Sequence, residues 1–177
     1  MKRCDWMQIF LTLTGVLAIA LLLNWAVLKF FGQRSAYRST HSLVGILMLL
    51  GYVYLFVDRH ESRIGALPFL ALALIPCYLG TVFPDLDIAL LGIGAHRNPL
   101  FHSSLSLFLL LGLVGRQRTW LQPLIVGYGV GLASHLWWDV VNYGPVRWLP
   151  GGTSGRIWLG VNGLACLLSL VPSVLRR

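Results

Sequence analysis

Charge is what this sequence has least of. Only 11% of its 177 residues are charged and 56% are apolar, where a soluble domain carries about a quarter charged residues. Such a chain cannot cover itself with water-binding side chains, which excludes a disordered segment, a collagen-like fibre and an ordinary cytosolic enzyme. Acids are the scarcer sign, six Asp+Glu against 14 Lys+Arg for a net charge of +8. The basic residues stand singly or in pairs between apolar tracts, which is the pattern of membrane loops rather than of a nucleic-acid surface. Cysteine is sparse too: Cys4, Cys77 and Cys166 lie far apart without a CxxC spacing, so neither a disulfide framework nor a Cys-rich zinc site is indicated. No repeat or low-complexity segment is evident.

What is present in quantity is long apolar runs. Burying a charge in hydrocarbon costs at least a few kcal/mol, so the charged residues punctuate the chain into spans. Met7 to Phe31 reads as the first; its apolar region is too long for a signal peptide and no small-x-small cleavage site follows, so it reads as an anchor. Ser42 to Val57 is the second, ended by the polar turn Asp58-Arg59-His60-Glu61-Ser62-Arg63, and Ile64 to Phe83, with Pro68 and Pro76, is the third. An irregular, glycine-rich stretch from Pro84 to Asn98 follows. Pro99 to Gly115, Trp120 to Val141 and Ile157 to Leu175 complete the set. The expected fold is all-α, a polytopic transmembrane bundle of about six spans, with an irregular motif-bearing connection between spans three and four. Residues 1–177 form one integral membrane domain with a motif-bearing core over about 80–151. Gly127 and Gly131 make a GxxxG pair in the fifth span, which predicts close helix packing.

Alternating the loops between membrane sides brings the polar exceptions together. The third span ends in Pro84-Asp85-Leu86-Asp87, the connection holds His96-Arg97-Asn98, and the fourth span begins Pro99-Leu100-Phe101-His102-Ser103. The fifth approaches the same side with His135 and Asp139. His135 and Asp139 are four apart and share a helix face. Asp85 and Asp87 are two apart, so an extended backbone would direct both carboxylates one way. Imidazole and carboxylate are ligands for zinc and also suit manganese or iron. The metal set is Asp85, Asp87, His96, His102, His135 and Asp139, with His135, Asp139 and His102 as the favoured direct ligands. Six candidates exceed one tetrahedral ion's needs, which leaves room for a second metal, a general base or orienting carboxylates. Asp85, Asp87 and His96 are the candidate catalytic residues, and Arg97 is a candidate for holding an anionic substrate.

Each piece has a plainer reading. Asp87 alone suits a helix cap before Ile88, His135 and Asp139 a structural hydrogen-bonded pair, and His96 a solvated loop histidine. His41 and His60, at span edges without a carboxylate pattern, read as interfacial or solvated, and Asp5, Asp58 and Glu61 as ordinary loop charges.

Three blocks resemble a bacterial inner-membrane family of metal-dependent hydrolases that includes LexA-regulated members. They are Phe83-Pro84-Asp85-Leu86-Asp87, His96-Arg97 leading to His102-Ser103, and Ser134-His135-Leu136-Trp137-Trp138-Asp139, followed by Gly-Pro and Trp-Leu-Pro between Tyr143 and Pro150. The sequence departs from the familiar form in Phe101, where a threonine is common. The resemblance implies metal and catalytic roles for the six aspartates and histidines, an inner (cytoplasmic) membrane location, and hydrolysis. The expected function is a membrane-embedded metal-dependent hydrolase, using zinc or another divalent metal on a lipid or envelope-derived substrate, with membrane lipids as its partners. The alternative is a metal or proton transporter, or a structural membrane protein, using the same buried cluster. With the N-terminus cytoplasmic, 8 of 14 cations fall on that side and the site faces outward.

Overall fold

The computed structural model of the protein describes residues 6–57, 65–114, 119–142, 146, 149 and 152–175. Among these there is no strand. The helices are α1 (Trp6–Tyr52), continued by a π-helical turn over Val53–Val57, α2 (Ala66–Val82), α3 (Leu86–Leu91), α4 (Leu105–Val114), α5 (Gln122–Asn142) and α6 (Gly152–Leu175). Outside the described residues lie His60 and its polar turn, Asp5, and most of the Tyr143 to Pro150 block including Trp148.

Helix α5 is the centre of the bundle, buried along most of its length and packed chiefly on α2, with α6 and α1 on its other sides. Glycine sets the α2–α5 distance. A Cβ on Gly127 would run into the Ala73 carbonyl, one on Gly131 into the Cys77 carbonyl, and one on Gly80 into the Tyr128 carbonyl. The expected GxxxG pair therefore meets α2 backbone to backbone. That contact fixes the height of His135 against the last turn of α2.

Helix α1 does not run straight. At 1.5 Å per residue a straight helix would put Thr12 and Gly51 roughly 58 Å apart, yet a Cβ on Gly51 would stand 3.3 Å from Thr12 Cγ2. Ala20 likewise clusters with Val44 and Trp138. The two apolar halves, Phe10–Phe30 and Ser39–Val57, thus lie antiparallel, which agrees with two separate spans. The first half leaves Phe10, Leu22 and Trp25 exposed, as a lipid-facing helix does. The second sends Leu49, Tyr52 and Val53 into the core with Phe69, Val126, Val130 and Leu170.

Four segments are long and apolar enough to cross a membrane: Phe10–Phe30, Ser39–Val57, Ala66–Leu91 and Gln122–Asn142. The six expected spans are thus not all met among the described residues. Helix α4 has ten residues, about 15 Å, half the ~30 Å hydrocarbon core. Two local expectations also change. The stretch from Pro84 is not irregular at first: a 3₁₀ turn over Phe83–Asp85 carries α2 into α3, because Pro84 sits at the start of that turn, where its missing N–H breaks no bond. Asp85 and Asp87 consequently stand on helical, not extended, backbone. The helix ends at Gly92, whose φ of 82° and ψ of 165° are practically reserved for glycine. The fourth helix starts at Leu105 rather than Pro99. The intervening polar side chains capture backbone amides, Asn98 Oδ1 that of Leu100 (2.9 Å) and Ser103 Oγ that of Leu105 (3.3 Å), and so hold a bend.

Candidate metal centre

Helix α5 supplies the fixed half of the site. His135 and Asp139, one turn apart and both buried, approach at 3.5 Å between Nε2 and Oδ2. His135 Nδ1 lies 2.7 Å from the Thr81 carbonyl oxygen in the last turn of α2. A carbonyl only accepts, so Nδ1 carries the proton and donates it there. In the neutral ring this leaves the Nε2 lone pair aimed at Asp139 Oδ2 and, at 3.9 Å, at Asp85 Oδ1. His135 Nε2 and both oxygens of Asp139 are buried without a hydrogen-bond partner. Lone pairs and carboxylates facing one another repel unless a proton or a metal cation stands between them, and orphaned buried polar atoms are costly.

The other half hangs on Asn98. Its backbone N–H donates to Asp87 Oδ2 (2.9 Å) and its carbonyl accepts from the His102 amide (2.9 Å). Asp87, fully buried, reaches His96 Nδ1 at 3.2 Å and His102 Nδ1 at 3.4 Å. Helix α3 begins at Leu86, so Asp87 lies inside it rather than capping a helix at Ile88. His102 turns its other nitrogen to Asp139 Oδ2 at 3.5 Å. Asp85, about a third exposed, lies 3.8 Å from His96 Nδ1. Helix α6 holds the bend from behind: Trp158 Nε1 donates to the His102 carbonyl (3.0 Å), and Ser104 donates from N and Oγ to Asn162 Oδ1 (2.9 Å each).

His41 joins the group, contrary to its reading as an interfacial residue. It is buried, its ring stacks on that of His135 at 4.1 Å, and Nε2 lies 3.8 Å from Asp139 Oδ1. Gly45, one turn on, permits the approach: a Cβ there would run into the Thr81 methyl and stand 3.2 Å from Ser134 Oγ. Loop alternation held the missed signal, since it puts the junction of the first two spans on the same side as Asp85.

All six aspartates and histidines picked from the sequence therefore meet, and two triads emerge: His41, His135 and Asp139, and Asp85, His96 and His102, each with its ligand atoms within 4.8 Å of one another. Coordination bonds of about 2.0–2.2 Å separate ligand atoms by roughly 3.3 Å in a tetrahedron, so side-chain adjustments of about 1–1.5 Å seat a cation. Buried imidazoles, carboxylates and the orphaned α5 atoms fit a divalent metal. Asp87, outside both triads, is placed to orient His96 and His102. Arg97 takes a left-handed backbone, φ 65°, and its Nε is buried without an acceptor.

Over residues 7–175 the chain matches the family described as Domain of unknown function (DUF5942), and it belongs to that family. No curated protein and no solved structure matches it. The comparisons lend no support to a family named for metal-dependent hydrolysis.

Proposed function

We propose that the protein is a metal-dependent hydrolase of the inner membrane, working at one membrane face on a lipid or other envelope-derived substrate. The observation that carries this reading is the meeting of acceptors: His135, its proton committed to Thr81, directs a lone pair at two carboxylates, one of them with both oxygens unpartnered. His135, Asp139 and His102 hold the cation, with zinc favoured by the ligand types and manganese or iron also suited. When bound, such an ion supplies a Lewis acid and brings deprotonation of water within reach of neutral pH. Asp85, the most exposed of the three carboxylates, is the base that accepts the proton of an incoming water, and His96 beside it passes a proton to the leaving group. Asp87 steadies both bend histidines.

The test is metal content of detergent-purified protein, wild type against His135→Ala and Asp139→Ala, beside turnover of ester and phosphoester substrates with and without chelator. Bound metal that both variants lose, with chelator-sensitive turnover, is the expected result. Metal uptake into proteoliposomes without turnover would establish a transporter instead. Wild-type protein free of metal would defeat the cation reading altogether.

A further inference from the structure

Three aspartates, four histidines and one arginine crowd this site, and their charges can be counted against those of a substrate. The three carboxylates are Asp85, Asp87 and Asp139; the histidines are neutral when they bind metal. A single divalent cation leaves the cluster with one negative charge, which Arg97 cancels. That arrangement has no surplus for an anion. A second divalent cation turns the total to two positive charges, the complement of a phosphate dianion.

We propose that the site holds two divalent cations, one on His41, His135 and Asp139 and one on Asp85, His96 and His102, and that the pair takes a phosphomonoester with Arg97 facing its phosphate. This rests on the cation reading above and extends it to a number and a substrate class, moving His102 to the second ion and making Asp85 and His96 its ligands in place of base and acid. Three observations carry it. The ligand atoms fall into two sets of three that share no residue. The sets abut through carboxylates: His102 of one lies 3.5 Å from Asp139 of the other, and His135 lies 3.9 Å from Asp85. One ion on the second triad alone would still leave the His135 Nε2 lone pair facing the Asp139 carboxylate. Arg97, next in sequence to His96, is in a conformation that costs a non-glycine residue energy and that clusters at functional sites. Arg97 adjoins a ligand of the second triad in the chain, and its buried Nε still has a hydrogen bond to give. Planar guanidinium donors suit phosphate oxygens. Paired metals flanking a phosphoryl group stabilise both attacking and departing oxygens. In the reaction, water oxygen forms a bond to phosphorus as the ester P–O bond breaks; one proton of the water ends on the alcohol and the other on the phosphate.

The experiment begins with metal stoichiometry of the full chain in detergent, by elemental analysis and by the spin-resonance spectrum of manganese-loaded protein. Two ions per chain with an exchange-coupled manganese spectrum are expected, falling to one in His41→Ala and in the milder His41→Gln. One ion in the wild type would overturn the pair while leaving a single-metal hydrolase intact; none would overturn both readings. Inorganic phosphate is then titrated calorimetrically into the two-metal protein. Arg97→Gln should keep both ions and bind phosphate at least tenfold more weakly; unchanged affinity would overturn the phosphate assignment. Turnover of phosphatidic acid in vesicles identifies a lipid source, and turnover of p-nitrophenyl phosphate alone a soluble one. Failure to hydrolyse either would overturn the substrate class.

Discussion

Replacing Gly131 by alanine tests whether the packing of α5 on α2 builds the candidate metal centre or merely accompanies it. The added Cβ would stand 2.9 Å from the Cys77 carbonyl carbon and 3.1 Å from its Cα, and nearer still to the oxygen. These are backbone atoms that cannot rotate aside, so α5 must retreat by roughly 1 Å to restore contact distances of about 3.5–4.0 Å. Overpacking of this kind costs about 1–3 kcal/mol. One turn along, the same retreat stretches the 2.7 Å bond from His135 to Thr81 to about 3.7 Å, past hydrogen-bond range. Losing such an orienting bond weakens metal sites about 10–100-fold. At about 2–4 °C per kcal/mol for a chain of this size, the melting temperature should fall by about 3–10 °C. Metal affinity, read by competition with a chromophoric chelator, should fall at least tenfold. Gly112→Ala is the control, since nothing stands within 4 Å of its Cβ position and alanine favours a helix by up to about 1 kcal/mol. Gly131→Ala protein that melts and binds metal like the wild type would refute the argument.

Three further outcomes follow from the same geometry. Asp139→Asn should abolish tight metal binding yet raise the melting temperature of chelator-treated protein, because it removes a buried carboxylate whose oxygens lack partners; destabilisation with and without metal alike would mean that a protonated histidine, not a cation, satisfies Asp139. Gly92→Ala should cost about 1–3 kcal/mol through backbone strain alone, since its surroundings are open, whereas Gly94→Ala, equally open but free of positive φ, should change thermal stability by less than about 0.5 kcal/mol; equal melting temperatures would count against the strain. Asn162→Ala removes the acceptor shared by the Ser104 amide and hydroxyl, costing about 1–3 kcal/mol, and should weaken metal binding from outside the cluster by loosening His102; a chelator competition curve that overlays the wild type would show that the bend holds itself.

The polar core was legible because acids and imidazoles are too expensive in apolar tracts to be there by accident, and because the loop order brings them to one side. The GxxxG contact was legible for a similar local reason: small residues one turn apart leave room for a neighbouring backbone. His41 was not singled out because its partners are absent from its own stretch of sequence; Asp139 and His135 reach it only once α1 has closed over Gly45. The bend at 98–104 was missed because Pro99 suits a helix start, while the bonds that oppose one come from Asn98 locally and from Asn162 and Trp158 on α6.

These differences bear on how the site works. His135 and Asp139 sit on a buried helix locked by backbone contact, so their spacing is set before any ligand arrives. His96 and His102 sit on a bend held by Asn98, Asp87 and α6, and Asp85 follows Pro84 in the turn that joins α2 to α3, on the less buried side. In the two-ion arrangement proposed above, the triad built on α5 is, of the two triads, the one whose geometry depends least on the bend. The carboxylate contacts between them, at 3.5 and 3.9 Å, are short enough for a change in one to be felt electrostatically in the other. In surroundings that screen charge poorly, that coupling is what a cluster on separate helices gains from being buried together.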